Sequence, residues 1–382
     1  MSEQSSGEGG TDATGSGRKP HPRRRRRATV VAAWAAAGLI AVGGGGLGYA
    51  YLSLNGNLRG IDINAQLNGK DRPPDIGNGS MDVLVLGSDS RSGANREYGH
   101  NGGGARSDTA MVVHVYKDHR EASVVSIPRD TLVDRPACTA PDGKRIPAAD
   151  GVMFNSAYEV GGPACAVDTV EQLSGIRMDH YVEVDFTGFK KLVDELGGVK
   201  ITTTEPIRDT DSRLDLPAGT HTLDGEQALG LVRTRKSVGD GSDLGRIQLQ
   251  QAFMKAFLAQ VKDAGLLTDP GKLYGVADTA TRAVTTDSGL ASVPKLTGFV
   301  RSLAALDPAD VRMVTMPVVY DPQNPNRVLP LEGASQQVWT ALRHDRPVPA
   351  SALTDSAGGK GSAGAVVRST PAPVSGAGAG AG

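Results

Sequence analysis

The chain has 382 residues, 39% of them hydrophobic, which is enough for one large domain or two small ones with a real core. Its formal net charge is −1, so no global positive field favours nucleic acid as a partner. Neither GxSxG nor HExxH occurs in the sequence, which removes the commonest hydrolase signatures.

The N-terminal part of the chain predicts a membrane anchor. Residues 1–27 are rich in Gly and Ser and end in five arginines, Arg23 to Arg27, so we expect a disordered basic tail. Residues 28–54 carry no charge and are long enough for a helix of about 20 residues that spans roughly 30 Å of hydrocarbon. The arginines before this span predict a cytoplasmic tail, a single-pass anchor in the cell membrane and an extracellular domain. A cleaved signal peptide is the alternative, because Gly48-Tyr49-Ala50 is a small-x-small sequence, and it would export the same domain.

Residues 55–80 predict a linker, since Pro73-Pro74 and several Gly and Asn interrupt any periodicity. The exported domain then begins with three apolar runs, Val83–Leu86, Ala110–Val115 and Ser123–Ile127. Short continuous runs of Val, Leu and Ile are typical of strands that are buried on both faces.

Charged residues lie where these apolar runs begin or end. They are Asp89, Arg91, Arg106, Asp108, Arg129 and Asp130. A core can place such charges only at strand ends, where water or a ligand meets them, so we expect one sheet edge with a site for a cation and an anion. The Gly-rich loop between the first two strands lacks the GK[ST] ending of a nucleotide P-loop and is predicted to form a rim of this site.

The two cysteines of the chain, Cys138 and Cys165, bracket a region, residues 132–164, that is predicted to be irregular. In the oxidising compartment that export implies, the pair predicts one disulfide, which would add roughly 3–4 kcal/mol of stability. Two unpaired buried thiols are the alternative. No CxxC spacing or nearby histidine cluster is present in the sequence, so a metal site is not expected there.

Helices and strands alternate after this region. The pattern predicts a helix over 166–174 that Gly175 ends, a strand over 179–186, a helix over 187–198 and a strand over 199–203. Such alternation favours a sheet covered by helices. Residues 205–221 carry little pattern.

Two further helices carry charge at their ends. Asp224 and Gln227 form a predicted capping box at the start of a helix over 224–235, which ends with Arg233 and Arg235. An amphipathic helix over 243–261 follows a polar loop. Its first turns contain Asp243, Arg246 and Gln250, and the partial positive field of a helix start favours an anion there.

The C-terminal part predicts a helix over 287–306 and a strand over 311–319. The domain is expected to end at residue 347. Residues 348–382 are rich in Ala, Gly, Ser and Pro and predict a disordered tail.

The charged candidates together favour phosphate chemistry. They are Asp89, Arg106, Asp108, Arg129, Arg233, Arg235, Asp243 and Arg246. Guanidinium forks match phosphate oxygens, whereas the carboxylates would repel a phosphate unless a hard cation lay between them. Mg²⁺ takes one or two carboxylates plus substrate phosphate oxygens, so the sequence predicts Mg²⁺-assisted phosphate or pyrophosphate chemistry. Structural ion pairs are the alternative for any single arginine. His114, inside a strand, is predicted to be a core residue and not a ligand.

Several long strings stand in collinear order: MDVLVLGSDSR, ARSDTAMV, SIPRDTLV, FNSAYEVGGPACAVDTVEQLSGI, DHYVEVDFTGFKKLVDELGGV, LDGEQALGLVRTR and DLGRIQLQQAF. They resemble the LytR-CpsA-Psr (LCP) family of bacterial cell-wall enzymes. The similarity covers about residues 81–261 of a domain predicted over 81–347. It implies an α/β fold, a three-layer α/β/α domain with a central mixed sheet, preceded by one transmembrane helix.

The resemblance also implies an activity. Such enzymes are phosphotransferases of the teichoic acid transferase type, which move a glycopolymer from a polyprenyl pyrophosphate carrier onto peptidoglycan. The product is a phosphodiester at the 6-hydroxyl of N-acetylmuramic acid, and the lipid lies in an apolar channel of the core. The implied partners are therefore the lipid-linked glycopolymer, peptidoglycan and the cell membrane.

The residue roles that the resemblance implies follow the matching motifs. Asp89 and Asp108 would bind Mg²⁺, or Mn²⁺ in its place. The pyrophosphate would be held by Arg91, Arg106, Arg129, Arg233, Arg235, Arg246 and Gln250. The residues that would act in catalysis are Arg106, Arg129 and Asp243. Asp243 is also the side chain that we expect as base, with solvent or a substrate phosphate as the alternatives.

The sequence departs from the family pattern in two places. The loop between Asp89 and Arg106 is longer and richer in Gly, and the Gly-Leu of ALGLVRTR stands where an aromatic is expected. Two other functions stay open: a pyrophosphatase that uses water as acceptor, and a membrane-bound transcription attenuator. Against the latter, the sequence carries no recognisable helix-turn-helix.

Overall fold

A computed structural model describes residues 46–67, 72–88, 107–235, 237–238, 241–266, 268–359 and 363–369. It divides the chain into two units, of which the first ends at Leu52 and the second begins at Ser53. Residues 46–57 are helical (α1). No helix in the described ranges has both the length and the apolar character that a membrane crossing needs. The predicted tail over 1–27 and residues 28–45 of the predicted span lie outside the described residues.

The second unit contains eighteen described strands. They are β1 (Arg59–Ile61), β2 (Met81–Ser88), β3 (Ser107–Val115), β4 (Ala122–Ile127), β5 (Leu132–Arg135), β6 (Cys138–Thr139), β7 (Arg145–Ile146), β8 (Ala149–Met153), β9 (His180–Asp185), β10 (Val199–Thr203), β11 (Ile207–Asp209), β12 (Leu214–Leu216), β13 (Gly219–Leu223), β14 (Val284–Asp287), β15 (Val311–Thr315), β16 (Val318–Asp321), β17 (Asn324–Pro330) and β18 (Val367–Ser369).

The described helices complete the unit. They are α2 (Ile63–Gln66), α3 (Phe154–Ser174), α4 (Phe186–Glu195), α5 (Gly225–Arg233), α6 (Asp243–Asp263), α7 (Pro270–Ala283), α8 (Val293–Ser302), α9 (Ala334–Arg343) and α10 (Ala363–Val366). Short 3₁₀ turns lie at Pro308–Asp310, Ala350–Leu353 and Ala357–Gly359.

A seven-stranded mixed sheet forms the centre, in the order β1-β14-β9-β2-β3-β4-β15. β2 pairs in parallel with β9 and antiparallel with β3, and β4 pairs antiparallel with β3 and in parallel with β15. The three strands predicted from apolar runs are therefore confirmed and adjoin one another. The mixed central sheet of the predicted α/β fold is confirmed as well.

Helices cover both faces of this sheet, because alternate residues of the central strands point to opposite sides. Leu84, Leu86 and Val112 belong to one core with residues of α3 and α9. Met111 and Val124 belong to another core, against which residues of α6 pack. All six residues of β4 are buried, as expected for a strand between two helical layers.

A second large core lies between α5, α6 and the small strands after β9. It includes Ile201, Ile207, Leu223, Leu231 and Phe253. β10 pairs with β13 and β18, and β11 pairs with β12. Residues 205–221, for which the sequence offered little pattern, thus form short strands. The capping box of Asp224 and Gln227 is confirmed at the start of α5.

The region around the cysteines is more regular than predicted. It contains β5 to β8, and α3 begins at Phe154, twelve residues before the predicted helix over 166–174. The left-handed backbone at Gly162 (φ 67°) and Pro163 interrupt the helical pattern, which hid the first turns in the sequence. Gly175 ends the helix in the left-handed conformation, as predicted. The predicted disulfide joins Cys138 to Cys165.

The segment predicted as a linker contributes to the domain. β1 pairs in parallel with β14, and Ile63 and Leu67 are buried in the core of α3 and α9. Arg72 forms a buried ion pair with Glu171 of α3 at 2.6 Å. The sequence did not predict these contacts, because each of them is made with residues far along the chain.

Several boundaries differ from those predicted. The strand predicted over 179–186 ends at Asp185, because the Asp185 side chain accepts from the Gly188 N–H and caps α4. The helix predicted over 287–306 is confined to Val293–Ser302, and the strand predicted over 311–319 is broken into β15 and β16. The domain continues past residue 347, since Ala352 is buried in the core and β18 pairs with β10.

Candidate functional site

The charged ends of the central strands meet at one edge of the sheet. β2 and β4 both run antiparallel to β3, so their carboxyl ends lie beside the amino end of β3. Asp108 is the second residue of β3, and Arg129 follows β4 by two residues. The predicted meeting of charged residues at this edge therefore includes both of them.

Five side chains of this edge form one ionic cluster. Arg129 Nη1 donates to Asp108 Oδ1 at 2.5 Å, and Arg129 Nε lies 3.4 Å from Asp243 Oδ1 and 3.5 Å from Asp130 Oδ2. Arg246 Nη2 lies 2.5 Å from Asp243 Oδ1 and donates to the main-chain oxygen of Asp108 at 3.2 Å. The cluster connects β3, the segment after β4 and the start of α6.

Burial and charge act against each other in this cluster. Burial alone would lower the pKa of Arg129, but the carboxylates of Asp243, Asp108 and Asp130 outweigh it and raise that pKa. Burial lowers the pKa of Arg246 although Asp243 opposes the change, and the guanidinium stays charged because its ordinary pKa is so high. Burial also raises the pKa of Asp130, against the pull of Arg129. Charged groups that are largely shielded from water interact strongly with an incoming anion.

Local hydrogen bonds hold the cluster in place. The Thr131 N–H and Oγ1 both donate to the Pro128 carbonyl, at 3.0 and 2.6 Å, which closes a turn around Arg129. The Arg129 carbonyl accepts from the Asn155 N–H at 3.0 Å. Ser242 caps α6 by accepting from the Gly245 N–H, so Asp243 lies in its first turn.

A charged cleft of about 740 Å³ opens beside the ionic cluster. Six of the predicted site residues line it: Asp108, Arg129, Arg233, Arg235, Arg246 and Gln250. The Arg233 guanidinium lies over the Phe186 ring, 5.2 Å from its centroid. The Gln250 Nε2 donates to the Val232 carbonyl at 3.0 Å, so this amide ties α6 to α5 at the cleft wall.

A second group of residues at this cleft was not predicted from the sequence. Asp211 and Ser212 line it, in the turn between β11 and β12. Asp209 positions that turn, since its carboxylate accepts from the N–H groups of Asp211, Ser212 and Arg235 at 2.9 to 3.2 Å. The run DTDS was the available signal, because Asp and Ser favour such side-chain-to-backbone turns.

An apolar cavity of about 800 Å³ adjoins the charged cleft. It lies between the sheet and helices α4, α5 and α6, with walls such as Met111, Leu229 and Phe253. Four residues line both spaces: Thr109, Phe186, Val232 and Gln250. Leu231, where the family pattern favours an aromatic, is fully buried in the second large core, so the departure alters packing there and not the charged cleft.

Three predicted site residues, Asp89, Arg91 and Arg106, lie outside the described residues. Within the described ranges no group of three His, Cys, Asp or Glu side chains is arranged to hold a metal ion. Asp108 is nevertheless compatible with Mg²⁺, because it lines the charged cleft and turns only one carboxylate oxygen toward Arg129. Mg²⁺ needs one or two carboxylates when substrate phosphate and water supply its other ligands.

The chain is similar in sequence to a known protein family and to named proteins. The model of the LytR_cpsA_psr family matches residues 50–344. The cell wall biosynthesis protein LcpA of Corynebacterium glutamicum is 34% identical over 265 residues, which are 63% of this chain and 50% of LcpA. TagT of Bacillus subtilis, a polyisoprenyl-teichoic acid–peptidoglycan teichoic acid transferase, is 37% identical over 194 residues, which are 49% of this chain and 55% of TagT.

A solved structure is also similar. TagT bound to LI-WTA has a TM-score of 0.53 and 27% identity, over 73% of this chain and 96% of the TagT chain. The chain spans about half the length of the curated relatives LcpA and TagT.

Proposed function

The chain belongs to the LytR-CpsA-Psr family, and we propose that it transfers a glycopolymer from a polyprenyl pyrophosphate carrier onto peptidoglycan. One observation carries the proposal: the arginine-lined cleft continues into an apolar cavity through shared wall residues. A ligand that fills both must join a strongly anionic group to a long hydrocarbon, and a lipid pyrophosphate has that composition. The names of LcpA and TagT, which refer to cell wall biosynthesis and teichoic acid transfer, support the same conclusion.

Each part of the donor has a matching surface. The arginines Arg129, Arg233, Arg235 and Arg246 would hold the pyrophosphate, since guanidinium groups recognise phosphate oxygens in bidentate fashion. The prenyl chain would lie in the apolar cavity, where burial contributes about 0.8 kcal/mol per methylene. The charged cleft alone would also accept a soluble polyphosphate, but the adjoining cavity favours a lipid.

The reaction that we propose is an in-line displacement at phosphorus. The 6-hydroxyl of muramic acid attacks the sugar-side phosphorus, the bond to the polyprenyl phosphate breaks, and the arginines stabilise the charge that develops on the leaving group. Asp243 is the proposed acceptor of the hydroxyl proton. Asp108, together with Asp89, would hold Mg²⁺, or Mn²⁺ in its place, which neutralises pyrophosphate charge when bound.

We also propose the cell membrane as the site of action. The uncharged residues 28–54 and the arginines before them favour a single-pass anchor with a cytoplasmic N-terminus. This placement would bring the charged cleft to the outer face of the membrane, where a lipid-linked donor and peptidoglycan are both present.

The test uses the full chain, a lipid-pyrophosphate-linked saccharide and a peptidoglycan fragment. We expect Asp108→Asn and Arg129→Gln each to lower the transfer rate about 10²- to 10³-fold, the loss typical of removing one group that stabilises a transition-state charge. Arg120→Ala is the matched control, because Arg120 is exposed in the turn between β3 and β4, at the opposite edge of the sheet.

Retained transfer by a folded Asp108→Asn or Arg129→Gln protein would refute the assignment. The same assay without the peptidoglycan fragment separates transfer from hydrolysis. Release of polyprenyl phosphate that is indifferent to the fragment would instead support the pyrophosphatase alternative.

A further inference from the structure

A second cleft, of about 1290 Å³, adjoins the ionic cluster. The hairpin of β16 and β17 forms one wall of it, through Tyr320, Asn324, Asn326 and Arg327. Arg129, Asp130 and Asp243 of the ionic cluster also line it. We call this space the hairpin cleft.

The hairpin cleft meets the charged cleft at only two of the described wall residues, Arg129 and Arg235. An anion held by these two arginines would therefore be reachable from both spaces. Asp130 and Asp243 line the hairpin cleft and are not among the described wall residues of the charged cleft. Asp243, the residue proposed to take the proton, thus lines the hairpin cleft, and its carboxylate oxygens are buried against Arg129 and Arg246.

Displacement at phosphorus requires that two groups contact the same atom from different directions. The attacking and leaving oxygens of such a reaction stand roughly in line on opposite sides of the phosphorus. If the leaving lipid phosphate occupies the charged cleft and the apolar cavity, the attacking hydroxyl must arrive from elsewhere. The hairpin cleft is a second space that these same two arginines line.

The hairpin cleft is lined by side chains of the kind that bind carbohydrate. Tyr320 exposes 41% of its surface and presents an amphipathic ring, while Asn326 and Arg327 are exposed polar groups on the same hairpin. The Val328 N–H donates to the Asp130 carbonyl at 3.2 Å, so the hairpin is bound directly to the segment that carries Arg129. A sugar ring held by the hairpin would consequently be held in register with the cluster.

We propose that the hairpin cleft binds the acceptor glycan, a β-1,4-linked chain of N-acetylglucosamine and N-acetylmuramic acid; this deepens the proposed function and rests on it. A bound muramic acid directs its 6-hydroxyl at the phosphorus between Arg129 and Arg235. The O–H bond breaks, its proton passes to Asp243, a new P–O bond forms, and the bond to the polyprenyl phosphate breaks. The donor's own first sugars are the competing occupant.

The first measurement is binding of a muramic-acid-containing tetrasaccharide to the full chain without any donor, by titration calorimetry. We expect Tyr320→Ala and the double variant Asn326→Ala/Arg327→Ala to weaken binding at least tenfold. Tyr320→Phe should bind like the unaltered chain if the ring face carries the contact. Arg120→Ala, an exposed arginine remote from the cleft, is the matched control, and thermal unfolding confirms that each variant is folded.

The second measurement is transfer kinetics with donor and acceptor varied separately. We expect the hairpin variants to raise the apparent KM for the acceptor about tenfold and to leave the KM for the donor unchanged. A rise in the donor KM alone would assign the hairpin cleft to the donor's sugars and overturn the proposal. Unchanged binding and unchanged kinetics in every hairpin variant would also overturn it.

The two measurements separate this proposal from the proposed function. Loss of tetrasaccharide binding in the hairpin variants, in a chain that transfers nothing, would refute the transferase assignment and retain a glycan site. Normal transfer with intact hairpin dependence supports both. Normal transfer without hairpin dependence refutes the glycan site alone.

Discussion

Arg129 is the residue at which the sequence and the structure agree most closely. The sequence placed it at a strand end beside other charges, and the structure brings it to Asp108, Asp130 and Asp243. Its position follows from local pattern, since the apolar run of β4 ends just before it. Asp130 is its neighbour in the chain, but Asp108 and Asp243 come from other segments, and only the folded chain brings Asp243 within 3.4 Å.

For His114, the sequence predicted the position in the core but not the residues that the side chain contacts. The prediction that it belongs to the core agrees with its 1% exposure. Its Nδ1 lies 2.8 Å from Asp82 and its Nε2 lies 3.3 Å from Asp345. Burial alone would lower the pKa of His114, but the two carboxylates outweigh it and raise that pKa.

This arrangement predicts that stability falls as the pH rises. A folded-state pKa above the unfolded value of about 6.5 means that protonated His114 stabilises the fold fully below that pH. The contribution is lost as the pH rises through the raised pKa. Burial also raises the pKa of Asp82, which acts in the same direction. Urea unfolding of the full chain between pH 5.5 and 8.5 should show this decline.

The double variant His114→Gln/Asp82→Asn replaces both titrating groups with neutral ones of similar shape. Its free energy of unfolding should change less over the same pH range than that of the unaltered chain. An equally steep decline in the double variant would show that other groups cause the pH dependence.

At the scale of elements, the disulfide was predicted from the sequence and is present in the structure. It joins β6 to α3 across a separation of 27 residues. Gly161 lies against it, because a Cβ there would stand only 3.1 Å from the Cys138 sulfur. The close approach of helix and strand therefore depends on a glycine that local pattern did not single out.

Removing this crosslink should destabilise the domain. We expect the double variant Cys138→Ser/Cys165→Ser to lower the free energy of unfolding by about 3–4 kcal/mol, mainly because the unfolded chain gains freedom. Urea denaturation measures the difference. Unaltered chain in reductant should lose a similar amount, and a variant as stable as the oxidised chain would contradict the prediction.

Four of the elements that the sequence missed share one property. β1, β11, β12 and β18 have three residues each, and they are held by pairing with strands from distant parts of the chain or by a tight turn. Such short strands have too few residues for an alternating pattern. The start of α3 was missed for another reason, since Gly162 and Pro163 resemble a loop although helical turns lie on both sides.

At the scale of the whole molecule, the proposed location depends on residues 28–54. Two arginines in their centre, Leu39→Arg with Ile40→Arg, should cost about 5–7 kcal/mol for insertion as a spanning helix. We expect this variant to leave the membrane fraction and to lose transfer from a long-chain donor in vesicles. It should keep transfer from a short-chain, water-soluble donor, because the catalytic unit is unaltered.

The matched control is Leu39→Ala with Ile40→Ala, which keeps the segment apolar. Membrane fractionation and the two transfer assays together give the answer. A double-arginine variant that still fractionates with membranes and uses the vesicle donor would contradict the proposed anchor.

Sequence patterns alone were enough to predict the three central strands, the α/β class, the pair of cysteines and the charged residues at strand and helix ends. These features arise from short-range pattern: apolar runs, helical spacing and capping residues. The sequence also carried motifs long enough to resemble one family, which the family match over residues 50–344 confirms.

The arrangement of the charged residues around two separate clefts became apparent only from the folded chain. The fold set Arg129 and Arg235 where the charged cleft and the hairpin cleft meet, and it placed Asp243 in the lining of the second of these. It also placed an apolar cavity next to the charged cleft, from strands and helices far apart in the chain. Spaces between elements depend on how distant segments pack, and no local pattern of residues encodes them.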